Sequence, residues 1–120
     1  MSRQHHSFDY IEITVSDMAA AQRFYGDAFG WTFTAYGPAY AGIVVGDREA
    51  GGLAVGDAPK GAPVGPLVIL FSNDLDATLE AVKAAGGTVV TPPYAFPGGR
   101  RFHFADPSGN QLAVWSTTHD

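Results

Sequence analysis

The chain matches itself. Displaced by 57 residues, Ile11, Ile13 and Val15 fall on Val68, Leu70 and Ser72, Asp17 on Asp74, Ala20 on Ala77, Gly30 on Gly87 and Thr34 on Thr91. Each coincidence is weak, but they share one order: alternating apolar strand, aspartate, alanine-rich stretch, glycine, second strand. Such repetition constrains a fold strongly, because each copy is one supersecondary unit that must bury a face against the other. We read it as a duplication.

In the first copy, Ile11, Ile13 and Val15 alternate with Tyr10, Glu12 and Thr14, the pattern of a half-buried strand. Ser16 or Asp17 can cap the following helix by accepting from its free first-turn amides. Met18, Ala21, Tyr25 and Ala28 form one helical stripe, and Gly30 suits a left-handed C-cap. Trp31–Tyr36, Tyr40–Val45 and Gly51–Val55 read as strands, separated by Gly37-Pro38 and Gly46-Asp47. The second copy follows the same plan. Leu67–Ser72 is a strand, and Asp74 caps a helix with Leu75, Leu79 and Val82 on its stripe. Gly86-Gly87 stops that helix. Thr88–Thr91, Arg101–Ala105 and Gln111–Trp115 are strands, with turns at Pro92-Pro93, Gly98-Gly99 and Pro107-Ser108-Gly109.

The predicted class is therefore α+β, in one domain over residues 1–120. Two tandem βαβββ units, about 8–56 and 67–116, flank a proline- and glycine-rich linker at 57–66. They form a curved mixed sheet with helices on its outer face and a concave cup on the other.

Composition narrows the function. With 120 residues the chain can bury a substantial core. Seven basic residues against 12 acidic ones give a net charge of −5, which lacks the electrostatic footprint of a nucleic-acid binder. No basic amphipathic helix suits a membrane surface, and no apolar run approaches the roughly 20 residues of a spanning helix. There are no cysteines, so disulfides, thiolate metal sites and cysteine nucleophiles are excluded. The polar start, Met1–Ser7, does not read as a signal peptide, and a cytoplasmic protein is expected. P-loop, GxGxxG, HExxH and GxSxG motifs are absent.

Val15-Ser-Asp-Met-Ala-Ala-Ala-Gln-Arg-Phe-Tyr25, followed by Phe29-Gly-Trp31, resembles the first half of a vicinal oxygen chelate domain. Asn73-Asp-Leu-Asp-Ala-Thr-Leu79 with Ala85-Gly-Gly87 resembles the second half, and Asp106-Pro-Ser-Gly-Asn110 the turn before the last strand. That superfamily includes glyoxalases, bleomycin-resistance proteins and extradiol dioxygenases. The resemblance runs from about Phe8 to Trp115. It implies a homodimer, whose cups form within one chain or across two. It also implies metal ligands at three matching positions: a histidine seven residues before each helix-capping aspartate, and a glutamate four residues after the turn glycine. Here those positions hold Tyr10, Leu67 and Ala113. Leucine and alanine offer no donor atom, and a phenol must first lose a proton with a pKa of about 10. Neither the family metal nor any other cofactor is expected.

Strand alternation places Tyr10, Glu12, Thr14, Leu67, Ile69, Phe71, Gln111, Ala113 and Trp115 toward the cup. Tyr10, Glu12, Leu67, Ile69, Phe71, Ala113 and Trp115 are the expected ligand-binding residues. An apolar, aromatic-lined surface with one carboxylate has the character of a small-molecule site. Glu12 is a candidate general base or ligand anchor, with exposure or an internal partner as the simpler reading. His103 is a second acid–base candidate, because histidine titrates near pH 6.5. Arg100 and Arg101 could hold an anion, and His5 and His6 would need further ligands to bind a metal. Three functions remain open. The first is a metal-free protein that binds an apolar or aromatic small molecule. The second is an enzyme using Glu12, Tyr10, His103 or an unconventional metal site. The third is an interaction domain without a ligand.

Overall fold

The computed structural model describes residues 5–57 and 65–117. Ten elements follow one another: β1 (Ile11–Val15), α1 (Met18–Phe29), β2 (Thr32–Ala35), β3 (Tyr40–Val45), β4 (Arg48–Val55), β5 (Val68–Phe71), α2 (Leu75–Ala84), β6 (Thr88–Phe96), β7 (Gly99–Ala105) and β8 (Gln111–Thr117). The order βαβββ thus occurs twice. Most of the expected linker, residues 58–64, lies outside the described residues.

The class is α+β with mixed sheets. The eight strands form two four-stranded sheets, ordered β1-β4-β3-β2 and β5-β8-β7-β6. In each, the first strand runs parallel to the fourth, and the other pairs are antiparallel. Among the described residues no ladder joins β1 to β5, so each keeps a free edge.

Local chemistry explains the helices. Asp17 and Asp74 have extended backbones, and each carboxylate accepts from a first-turn amide, Ala20 N at 3.0 Å and Ala77 N at 3.1 Å. Gly30 closes α1 at φ 74°. The match of Gly30 to Gly87 is one of sequence only. In the second unit Gly86 takes the positive φ, 100°. Gly87 serves packing instead: a Cβ there would lie 2.7 Å from Val82 and 2.8 Å from Phe24.

One apolar core joins the units. Phe24 and Tyr25 of α1, Val82 of α2, Leu53 of β4, Phe102 and Phe104 of β7, and Leu112 and Val114 of β8 are all buried within it. The turn before β8 fastens the halves. Buried Asp106 accepts from Tyr25 Oη (2.8 Å) and from the Asn110 amide (2.8 Å). The Asn110 side chain in turn donates to the Thr14 carbonyl of β1 at 2.8 Å. Burial and the charge of Asp106 push the Tyr25 hydroxyl well above the ordinary phenol range.

Two strands depart from expectation. Pro92 and Pro93, expected as a turn, lie within β6. Its register shifts between Val89 and Thr91 and again between Thr91 and Tyr94. This is an edge strand, where proline's missing N–H costs no ladder bond. Strand β4 begins at Arg48 rather than Gly51 and contains an irregularity: Gly51 pairs with Ile43 and Glu49 with Val44, leaving Ala50 without a partner. No helix among the described residues is long and apolar enough to cross a membrane.

Candidate ligand-binding cup and its polar clusters

The alternation expected for β1 holds over its second half: Ile13 and Val15 are buried in the core and Glu12 on the opposite face is exposed, but Ile11, expected on the buried face, is 44% exposed. Facing them across the seam is the free edge of β5. A cavity of about 680 Å³ is lined from one side by Tyr10, Glu12 and Thr14 and from the other by Leu67, Ile69 and Gln111. Four of the seven expected binding residues therefore meet in one space. Phe71 lines a second, largely apolar cavity of about 520 Å³ with Ile11, Trp31, Val45 and Leu70. Trp115, Ala113 and His103 line neither cavity. Ala113 is fully buried, paired in register with Ile69 and His103, so its methyl group is not open to a ligand.

On the first sheet, three phenols converge on one carboxylate. Tyr10 Oη donates to Glu49 Oε2 at 2.9 Å and Tyr36 Oη donates to Glu49 Oε1 at 2.7 Å. Tyr40 Oη lies 3.0 Å from Tyr10 Oη. The Tyr10 proton is committed to Glu49, so Tyr40 donates to Tyr10. The bond to Tyr40, then desolvation and the bond to Glu49, hold the Tyr10 hydroxyl above its usual pKa. The bond to Glu49 does the same for Tyr36. Sequence reasoning missed Glu49, Tyr36 and Tyr40 as site residues. Strict alternation from Gly52 would send the Glu49 side chain to the core face. The extra residue Ala50 is a β-bulge that re-aims it. Nothing in the local composition announces a bulge there.

The second sheet carries the opposite charge. Trp115 lies edge-on to Phe71 at 5.3 Å and 6.3 Å from Phe96, centroid to centroid. The Arg101 guanidinium sits 5.6 Å from the Tyr94 ring centre and 5.8 Å from that of Phe96, within cation–π range. Its Nε donates to Tyr94 Oη, and Tyr94 Oη lies 3.0 Å from His103 Nε2. With Arg101 donating, the phenol proton points to His103, whose Nε2 accepts. Burial first, and the Arg101 charge second, lower the His103 pKa, so the neutral ring this bond requires is favoured. Arg100 instead pairs with exposed Asp76 at 3.2 Å, which removes it from an anion clamp with Arg101.

A metal fits these residues poorly. The Tyr10 phenol is engaged by Tyr40 and Glu49, and Leu67 and Ala113 have no donor. Among the described residues, His5 and His6 included, no three His, Asp or Glu side chains gather as a ligand set.

Comparison with known proteins agrees with this architecture. The anthracycline biosynthesis protein DauV of Streptomyces sp. (strain C5) is 34% identical over 124 residues, covering 88% of this chain and 45% of its own length. The chain thus spans about half the length of that curated relative. A glyoxalase/bleomycin resistance protein/dioxygenase family enzyme from Burkholderia phytofirmans PsJN superposes with a TM-score of 0.77 at 19% identity, over 92% of this chain and 98% of its own. TnmS3, an antibiotic binding protein from Streptomyces sp. CB03234, superposes with a TM-score of 0.70 at 25% identity, over 98% of both chains. Residues 7–114 match the model of one family, and the chain belongs to it: the Glyoxalase/Bleomycin resistance protein/Dioxygenase superfamily.

Proposed function

We propose that this protein binds a small molecule with a flat apolar body in the cup between its two sheets, without a metal and without a chemical step. The observation that carries this reading is the cavity of about 680 Å³ lined by both units, with Leu67 and Ile69 facing Tyr10 and Glu12. Its volume lies within the roughly 300–1,000 Å³ of small-molecule sites, and apolar walls with a few placed polar groups are their usual make-up. DauV is an anthracycline biosynthesis protein and TnmS3 an antibiotic binding protein, in keeping with a ligand of aromatic type. Binding of this kind needs affinity alone, so the donor-poor positions Leu67 and Ala113 are no handicap to it.

The cup is completed by a second copy of the chain. Ile11 on β1 and Ile69 and Phe71 on β5 are each more than two-fifths exposed along the two free edges. Apolar residues and unpaired strand edges in one region call for cover, and a two-fold dimer is the commonest way to supply it. A sedimentation-velocity run should give twice the 12.6 kDa chain mass; a monomer at micromolar concentration contradicts the dimer.

The binding reading is tested by titrating the protein into a neutral fluorescent tricycle, 9-(hydroxymethyl)anthracene. Saturable binding is expected, and Ile69→Asp should abolish it by placing a charge on the apolar wall. Failure of the wild type to bind, or equal binding by a folded Ile69→Asp variant, would count against the cup.

A further inference from the structure

We infer that the Tyr10–Tyr36–Tyr40–Glu49 cluster is a subsite for a positively charged ammonium group carried by the ligand. The inference rests on the small-molecule reading above and adds the charge and polarity of what is bound.

The cluster is built around an anion. The Ala50 bulge turns Glu49 to the face shared with Tyr10. Both carboxylate oxygens accept phenol protons, and the third phenol feeds the first. These neutral bonds position the charge and spread it, but they do not cancel it. Two of about four lone-pair positions on a carboxylate are used. Among the described residues no Lys, Arg or His forms an ion pair with Glu49. Neighbouring Arg48 donates to the Asp9 carbonyl at 2.8 Å instead.

The floor beneath the cluster is cut to fit. A Cβ on Gly42 would come within 2.4 Å of the Glu49 carboxyl group. One on Gly52 would come within 2.1 Å of Tyr40 Oη and 2.9 Å of Tyr10 Oη. Two adjacent glycines, paired in register across β3 and β4, let the side chains lie close over the sheet. The result is an anion framed by aromatic rings, with the Tyr36 and Tyr40 centroids 6.3 Å apart. Ring faces and a carboxylate both attract a cation.

Placement and polarity set which part of the ligand lands here. Tyr10 belongs to both features: it lines the cavity, and its hydroxyl joins the cluster. Glu12, two residues along β1, adds a second carboxylate to the same wall. The comparable face of the second sheet carries the Arg101 guanidinium. A ligand with an ammonium group at one end is thus directed to the first unit and away from the second.

The test uses two probes with one ring system: 9-(aminomethyl)anthracene, an ammonium ion at pH 7, and neutral 9-(hydroxymethyl)anthracene. Wild-type protein should bind the ammonium probe about tenfold more tightly, a preference that weakens in high salt. Glu49→Gln should bring the ratio of the two affinities close to one. Gly52→Ala keeps every functional group but displaces Tyr40 and Tyr10, and should shrink the ratio as well. It also serves if Glu49→Gln fails to fold. Equal affinity for both probes in the wild type overturns the ammonium subsite while the cup reading stands. So does a preference that survives in both folded variants. Binding of neither probe overturns both readings.

Discussion

His103 has been set to one protonation state by its neighbours. Burial and the Arg101 charge both oppose the imidazolium, and the Tyr94 phenol needs an acceptor at Nε2. The ring should therefore be neutral at pH 7 with its proton on Nδ1. By NMR, its titration midpoint should fall below the usual value of about 6.5, and Arg101→Gln should move it upward. A midpoint at or above 6.5 contradicts this arrangement. The sign for stability follows. The unfolded chain takes up the proton first as pH falls, so this residue's contribution is present above about pH 6.5 and is lost below it. Two buried side chains give contrasting expectations. Tyr25→Phe strands a buried carboxylate lone pair on Asp106 and should cost about 1–3 kcal/mol in denaturant unfolding. Among the described residues Ser116 Oγ is buried without a hydrogen-bond partner, so Ser116→Ala should leave stability unchanged or raise it. A marked loss would show that the hydroxyl has a partner.

At the scale of elements, close packing of the two helical units rests on Gly87. Its missing Cβ makes room for Phe24 of α1 and Val82 of α2. Gly87→Ala should cost about 1–3 kcal/mol by overpacking, read as a lower melting temperature; an unchanged one contradicts the contact. Much of this level was legible in the sequence. Alternation along Tyr10–Val15 gave the buried face at Ile13 and Val15, though not at exposed Ile11, and Asp17 and Asp74 gave both helix starts, because each signal is local. What escaped depended on partners distant in sequence. The Ala50 bulge is defined only against β3, and it alone turns Glu49 toward the phenols. The double proline looked like a turn, but it sits on an edge strand where it is tolerated. Phe24 was absent from the expected stripe, yet it is buried against both units.

At the scale of the molecule, the two units are fastened by Asp106, Asn110 and a shared core, while their sheets remain unpaired along β1 and β5. That seam makes the cavity, and the first of the two polar clusters meets it through Tyr10. Family and fold were readable in the motifs. The cavity was readable only in part, since alternation assigns a side chain to a face without saying what covers that face, as buried Ala113 illustrates. The central claim is that both units build one ligand site. It is tested most directly by mapping amide chemical shifts during a titration with 9-(hydroxymethyl)anthracene. Shifts at Tyr10, Glu12, Leu67 and Ile69 should move together with a single saturation curve. Shifts confined to one unit, or none at all, would contradict it.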